Sequence, residues 1–467
     1  MAWHDSGTSH KPSFSRVEQL ELGTWITRQT TISAHHLSRA ISASGLCRER
    51  VEFGQRVIPA RGSVLASRVI ANWDPEPDYF FHWVRDAAVA MRAVADLVKM
   101  VEDPAEQQAW HQCFHDMVEF SLAISREQLV KQPPADYRQR TQRNCRRFLR
   151  TQTRLNSLHG DKLLAEPRFN PDGSIDFLKW SRPQLDGPAL RALACLAYLA
   201  DGGTRTPQLL SLLQGDLEFT LRQAGRRSIG PWEEPHEYSH HYHVALVQLG
   251  ALVHGRQFAG ANAMQWQRAE RKLRAGLELH WSAQQQVFTA IRTTKRNNES
   301  NKMELEAVGA EQLVDAAILL AIMEADLPEL PHSVLDPRAA STLAALEHAF
   351  SAAFPINHNR PQGLAPALGR SLADNYFGGG AWYATTLGAA AFCYRHAVAE
   401  PGTAAHWLAR GDAWMATVRW MTPADGSMSE QVDRATKQPR SAQHLTWSYA
   451  AFVSAARLRT IAIESGT

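Results

Sequence analysis

Two glutamates, with arginines, aspartates and tryptophans spread over 467 residues, carry the chemistry open to this chain. The tightest group is Trp232-Glu233-Glu234-Pro235, which follows Gly230-Pro231 and leads into a segment so apolar that it must be buried. Two adjacent carboxyls pinned by a Trp and two prolines can be driven to different pKa values. The one that faces the ring and loses water keeps its proton, and the other stays ionised and binds hydroxyls. A Glu-Glu pair ahead of a helix can also do no more than complement the dipole of its N-terminus. The other loops decide between these readings.

Similar loops recur along the chain. They are Asp78-Tyr79-Phe80-Phe81-His82-Trp83-Val84-Arg85-Asp86, Trp180-Ser181-Arg182-Pro183-Gln184-Leu185-Asp186-Gly187, Gly369-Arg370 and Ser429-Glu430-Gln431. Each stands ahead of an apolar segment. Charged groups that grip ring hydroxyls, beside flat rings that stack on them, are what a sugar site requires. Taken singly, each residue has a plainer role: Asp86 as a helix cap, the arginines as surface ion pairs, the aromatics as core. Five such loops together favour one shared site.

The elements that position these loops are read from start signals and periodicity. Asp103-Pro104, Thr206-Pro207 and Asp336-Pro337 each read as an N-cap followed by Pro in the first turn, and Thr403 after Pro401-Gly402 reads as a further N-cap. The spacing of apolar residues predicts about twelve helices of two alternating kinds. Residues 17–43, 105–129, 207–224, 263–280, 338–354 and 404–421 are amphipathic, with a charged face. Residues 81–98, 187–200, 240–256, 310–323, 381–396 and 442–457 are apolar nearly all round, so other helices must enclose them. Strict alternation implies two concentric rings, an all-α (α/α)6 barrel. Its inner helices run parallel, and the loops that precede them meet at one end. Short strands are expected only in loops such as residues 63–70.

No linker or composition shift marks a second domain, so residues 1–467 are expected to form one barrel domain. Residues 1–60 form a helical lead, and residues 131–165 a basic excursion. Within that excursion stand Arg138, Arg140, Arg143, Arg146, Arg147, Arg150 and Arg154. They read as a solvated loop rather than a phosphate or nucleic-acid patch.

Composition narrows the classes further. Hydrophobic content of 44% and charged content of 21% suit a globular chain, and a formal charge of +3 gives no ground for a nucleic-acid partner. Cys47, Cys113, Cys145, Cys195 and Cys393 form no CxxC pair, and three lie in apolar helical stretches, so neither a disulfide framework nor a zinc site is expected. His240-His241-Tyr242-His243 lacks the i, i+4 ligand spacing and reads as capping or substrate-loop histidines, with no metal or cofactor implied. The N-terminal residues show no basic-then-apolar signal and no apolar run is long enough to span a bilayer, so the expectation is a cytoplasmic protein without a membrane partner.

The loops resemble those of the glucoamylase family of inverting glycoside hydrolases, glycoside hydrolase family 15, whose fold is an (α/α)6 barrel. Residues 78–86 match its aspartate-tyrosine-phenylalanine-aromatic-x-tryptophan-x-arginine-aspartate pattern, and residues 182–191 its arginine-proline-glutamine segment. Residues 232–234, 429–431 and 445–450 match three further segments in the family's order. The turn before Trp180, Asp176-Phe177-Leu178-Lys179, departs from the form common in the family.

The resemblance implies a hydrolase of the glucan 1,4-α-glucosidase type, with Glu233 as general acid and Glu430 as general base. It implies that Arg85, Asp86 and Arg370 grip the terminal glucose, and that Tyr79 stands beside the reacting carbon. Trp180 and Glu234 would meet the leaving sugar, Trp83 would be a further substrate-binding residue, Trp447 would wall the pocket, and Gln431 would help order the water. No cofactor and no starch-binding module are implied, and the expected partner is an α-glucan or malto-oligosaccharide. A trehalose- or α-1,6-cleaving relative, a non-catalytic sugar-binding barrel and a phosphorolytic barrel are the alternatives. A glutamate at position 430, where a base belongs, speaks against the last two.

Overall fold

The computed structural model describes residues 16–72, 76–234, 238–292, 294–296, 303–305 and 314–466. Twelve long helices lie among the described residues. In chain order they are α1 (Arg16–Ala40), α2 (Val84–Met100), α3 (Pro104–Ser125), α4 (Gly187–Ala200), α5 (Pro207–Gln223) and α6 (Tyr242–His254). They continue as α7 (Ala263–Glu278), α8 (Ala317–Ala325), α9 (Pro337–Ala353), α10 (Tyr383–Ala399), α11 (Ala404–Met421) and α12 (Thr446–Ser465). The first residues of the segment expected at 310–323 lie outside the described residues.

The even-numbered helices pack each on the next, and α12 returns to α2, which closes an inner ring. Helices α3, α5, α7, α9 and α11 each pack on the inner helix before them in the chain, and α1 covers α12. This is an (α/α)6 barrel, as the alternation of enclosed and half-exposed helices requires.

Side-chain size makes the inner ring possible. In α10 every residue from Tyr383 to Tyr394 is buried, and most of them are Ala, Gly or Thr. At Gly388 a Cβ would lie 2.8 Å from Leu320 of α8, so that crossing depends on a bare backbone.

The caps at the outer helices behave as expected with one exception. Asp103, Thr206 and Asp336 accept from the backbone N–H groups of Glu106, Leu209 and Arg338. Thr403 precedes α11 but makes no cap bond, because its hydroxyl donates to Glu400 at 2.6 Å. Residues 63–70 hold only isolated bridges, Val64 with Ile41 and Ser67 with Leu445.

The connection between α3 and α4 departs most from a solvated loop. Val130, Tyr137, Leu149, Leu155, Leu158 and Leu163 form a small core there with Phe169, Ile175 and Phe177. Arg138, Arg140, Arg143, Arg147 and Arg154 are exposed. Arg146 is half-buried, and Arg150 is 5% exposed and grips Glu166 with both terminal nitrogens. Burial without a carboxylate partner would be costly for a guanidinium, and Glu166 supplies that partner.

Candidate active site

The N-terminal ends of the inner helices surround a cavity of about 520 Å³. Short ladders hold the loops there. His82–Trp83, just before α2, pairs with Arg168–Phe169, which fixes Trp83 against the connection that carries Trp180. Ala381–Trp382, just before α10, pairs with Gln431–Val432, which fixes the residue after Glu430. Helix N-termini carry partial positive charge, so a ring of them suits a cavity rich in carboxylates.

Glu233 sits in a tight turn, with its N–H donating to the Gly230 carbonyl at 3.1 Å. Its φ of 63° is in the left-handed region, a strained conformation for a residue with a side chain. The turn aims its carboxyl at four N–H donors. Oε1 accepts from Gln184 Nε2 at 2.7 Å, Trp83 Nε1 at 3.0 Å and Arg85 Nη2 at 3.2 Å, and Oε2 accepts from Trp180 Nε1 at 2.7 Å. Sequence reading expects a carboxyl drained of water against an aromatic ring. In the structure the indoles of Trp83 and Trp180 meet Glu233 edge-on through their N–H groups and not with a ring face.

Arg85 links Glu233 to a second carboxylate, since its Nη1 donates to Asp186 Oδ2 at 2.8 Å. Asp186 stands at the N-cap of α4 but makes no side-chain cap bond. Burial opposes the charges of both partners. Their mutual attraction outweighs it, raising the pKa of Arg85 and lowering that of Asp186. Asp86, in the first turn of α2, has no such partner of its own, and burial lifts it to about 7 against the pull of Arg85.

Glu430 is 3% exposed on the loop before α12. Burial raises it to about 7, and hydroxyl donation from Ser441 and Tyr79 together with the charge of Arg370 offset that only in part. Tyr79 also shares a hydrogen bond with Tyr376 at 2.7 Å. Asp374 clamps Arg370 through two of its nitrogens, and the rings of Tyr376, Trp382 and Trp232 surround the guanidinium at 5.2–5.6 Å. Glu234 lies 3.5 Å from the same Arg370.

Of the residues singled out by sequence, Tyr79, Trp83, Arg85, Asp86, Trp180, Glu233, Glu234, Arg370, Glu430 and Trp447 all line this cavity. Gln431 does not. It is fully buried, donates to the Tyr376 carbonyl and accepts from the Gly380 N–H, so it shapes backbone instead of meeting water in the cavity. His243, outside the cavity, has its Nε2 2.7 Å from a carboxylate oxygen of Glu324.

Sequence reading missed Asp315, Asp374, Tyr376 and Trp382. Asp315 takes the Trp232 indole N–H on both oxygens, at 2.9 and 3.0 Å, and burial lifts it to about 6. One signal was available: Trp382 opens α10 as Trp83 opens α2.

Two carboxyls line one cavity, one among N–H donors and one raised toward neutrality, and a pair of carboxyls is what cleavage of a glycosidic bond commonly uses. The model of the family described as Glycosyl hydrolases family 15 matches residues 54–457. The chain is 26% identical over 473 residues to the glucoamylase of Blastobotrys adeninivorans, covering 86% of this chain and 67% of that protein. It is 25% identical to a probable glucoamylase of Schizosaccharomyces pombe, covering 94% and 92%. Among solved structures, Hormoconis resinae glucoamylase superposes with a TM-score of 0.72 at 22% identity, covering 94% of this chain and 74% of that one. The glucoamylase of Saccharomycopsis fibuligera gives 0.69 at 20%, covering 95% and 96%. The chain belongs to glycosyl hydrolases family 15. It is a glycoside hydrolase of glucoamylase-like type.

Proposed function

We propose that the enzyme removes β-D-glucose from the non-reducing ends of α-glucans or malto-oligosaccharides by a single inverting displacement. The observation that carries this reading is the placement of Glu233 and Glu430 on two different loops of one cavity, each held by its own set of donors. Glu233 gives its proton to the leaving oxygen as the glycosidic bond breaks. Glu430, ionised, takes the proton of the water that attacks the anomeric carbon from the other face. Arg85, Asp86 and Arg370 hold the terminal glucose. Trp180 and Glu234 meet the leaving sugar, and Trp447 forms a wall.

Proton NMR of the first product from maltose tests the stereochemistry: β-glucose is expected, and α-glucose appearing first would require a covalent intermediate and remove Glu430 as base. In the same assay Glu233→Gln should be rescued by α-glucosyl fluoride, whose leaving group needs less protonation, and Glu430→Gln should not. A panel of maltose, maltotriose, isomaltose, trehalose and dextrin reads the linkage preference.

A further inference from the structure

Behind the wall that Trp180 forms, five charged side chains of the α3–α4 connection make one buried lattice. Arg168 Nε donates to Asp176 Oδ2 at 2.9 Å, and Arg182 Nη2 reaches the same oxygen at 3.3 Å. Arg182 Nε donates to Glu166 Oε2 at 2.8 Å, and Arg150 closes on Glu166 at 2.7 and 3.0 Å. The other oxygen of Asp176 accepts the Leu178 N–H at 2.9 Å, so the turn that presents Trp180 hangs from the same carboxylate. Burying five charges incurs a desolvation cost at each, and apolar replacements of such networks are often neutral or stabilising. Stability alone is therefore a poor reason for the lattice.

Its geometry suggests a better one. The Arg168 guanidinium lies 3.8 Å from the centroid of a Trp180 ring, 4.1 Å from that of Phe81 and 4.9 Å from that of Trp83. Trp180 and Trp83 are the two indoles that donate to the two oxygens of Glu233. We propose that Arg168, fixed by Asp176, is a positioning residue for the reaction: it holds both indole N–H groups, and through them the plane of the Glu233 carboxyl, at the angle from which that carboxyl protonates the leaving oxygen.

The division of donors shows why Trp180 matters most. Oε1 has three donors from protein side chains, whereas Oε2 has the Trp180 indole N–H. Turning the Trp180 ring therefore frees one end of the carboxyl. Trp180 is only half-buried and borders the cavity, so a flat cation stacked on its ring restrains it where the protein is otherwise open. Lysine cannot replace this, because an ammonium offers neither the plane nor the fixed Nε direction toward Asp176. Asp176 also begins the turn at residues 176–179 that leads to Trp180.

The proposal rests on Glu233 acting as the acid, and the experiment separates the two claims. Arg168→Gln, Arg168→Lys and Asp176→Asn are compared with Glu233→Gln on maltose and on α-glucosyl fluoride. For Arg168→Gln, kcat on maltose should fall about 10- to 10²-fold with KM nearly unchanged, as a small misplacement of a reacting group does. The loss on α-glucosyl fluoride should be much smaller. Arg168→Lys should recover only part of the maltose activity, and Asp176→Asn should show the same pattern more weakly. These two variants carry the test if Arg168→Gln does not fold. Equal losses on both substrates, or a change confined to KM, overturn the proposal while leaving the acid assignment intact, provided Glu233→Gln shows the leaving-group dependence. If Glu233→Gln itself lacks that dependence, the acid assignment fails and the proposal falls with it.

Discussion

At Glu430, burial works against the charge that a catalytic base needs. The side chain is lifted to about 7, and the Ser441 hydroxyl is the foremost group opposing that rise. A base must be ionised to accept the water's proton, so kcat/KM should climb as pH rises through about 7. Asp86 is lifted to the same value, so the parent profile alone does not assign the limb. Ser441→Ala does, because Ser441 donates to Glu430. Without that hydrogen bond the ionised form loses support, the pKa rises, and the acid limb should move up by about one pH unit, since a bond to a charged group is worth ~1.5 kcal/mol. The check is the pH dependence of kcat/KM on maltose for both proteins. An unmoved limb would assign the titration to Asp86 instead.

The loops around the cavity work as elements only because the helices behind them are fixed. The loop that carries Glu233 approaches His241 so closely that a Cβ on Gly230 would lie 2.3 Å from its ring nitrogen. His241 is itself buried and sits in the ladder with Ile291 just before α6. Gly230→Ala should therefore destabilise the protein by ~1–3 kcal/mol through overpacking. It should also lower kcat on maltose, because the turn that gives Glu233 its left-handed φ starts at residue 230. Urea denaturation alongside steady-state kinetics reads both, and a loss of stability without loss of kcat would show that the Glu233 turn is set elsewhere.

Much of this level was legible in the sequence. Alternating apolar and amphipathic segments specified both rings, and the loops ahead of the enclosed helices, read together with the family resemblance, named ten of the cavity's residues. What escaped was tertiary. Asp374 and Asp315 look like ordinary loop aspartates until the fold brings Arg370 and Trp232 to them. The resemblance made Gln431 a group that orders water, but successive side chains of an extended segment point to opposite faces, so Gln431 turns to backbone where Glu430 faces the cavity. The surroundings of Glu233 escaped for the same reason: an indole near a carboxyl in sequence says nothing of whether its face or its N–H edge will meet it.

Across the whole molecule, charge is far from evenly spread. Residues 131–182 hold twelve Lys and Arg against five Asp and Glu, a net of +7 in a chain whose total is +3. The seven arginines between 138 and 154 look alike in sequence, yet the fold divides them. Arg138, Arg143 and Arg147 are exposed, where a guanidinium keeps its water and contributes little. Arg150 is buried on Glu166, which also binds Arg182 and so joins the lattice under Trp180. Replacing Arg138, Arg143 and Arg147 together by Gln should leave the unfolding midpoint and maltose turnover close to the parent's. Arg150→Gln, a single change, should cost about 3 kcal/mol, because it leaves a buried carboxylate short of a partner. It should lower kcat as well, since Glu166 holds Arg182 and Arg182 shares Asp176 with Arg168. Urea unfolding and maltose kinetics on the two proteins decide it. A triple variant as impaired as Arg150→Gln would mean that the exposed arginines act on substrate, and that the basic segment is part of the site.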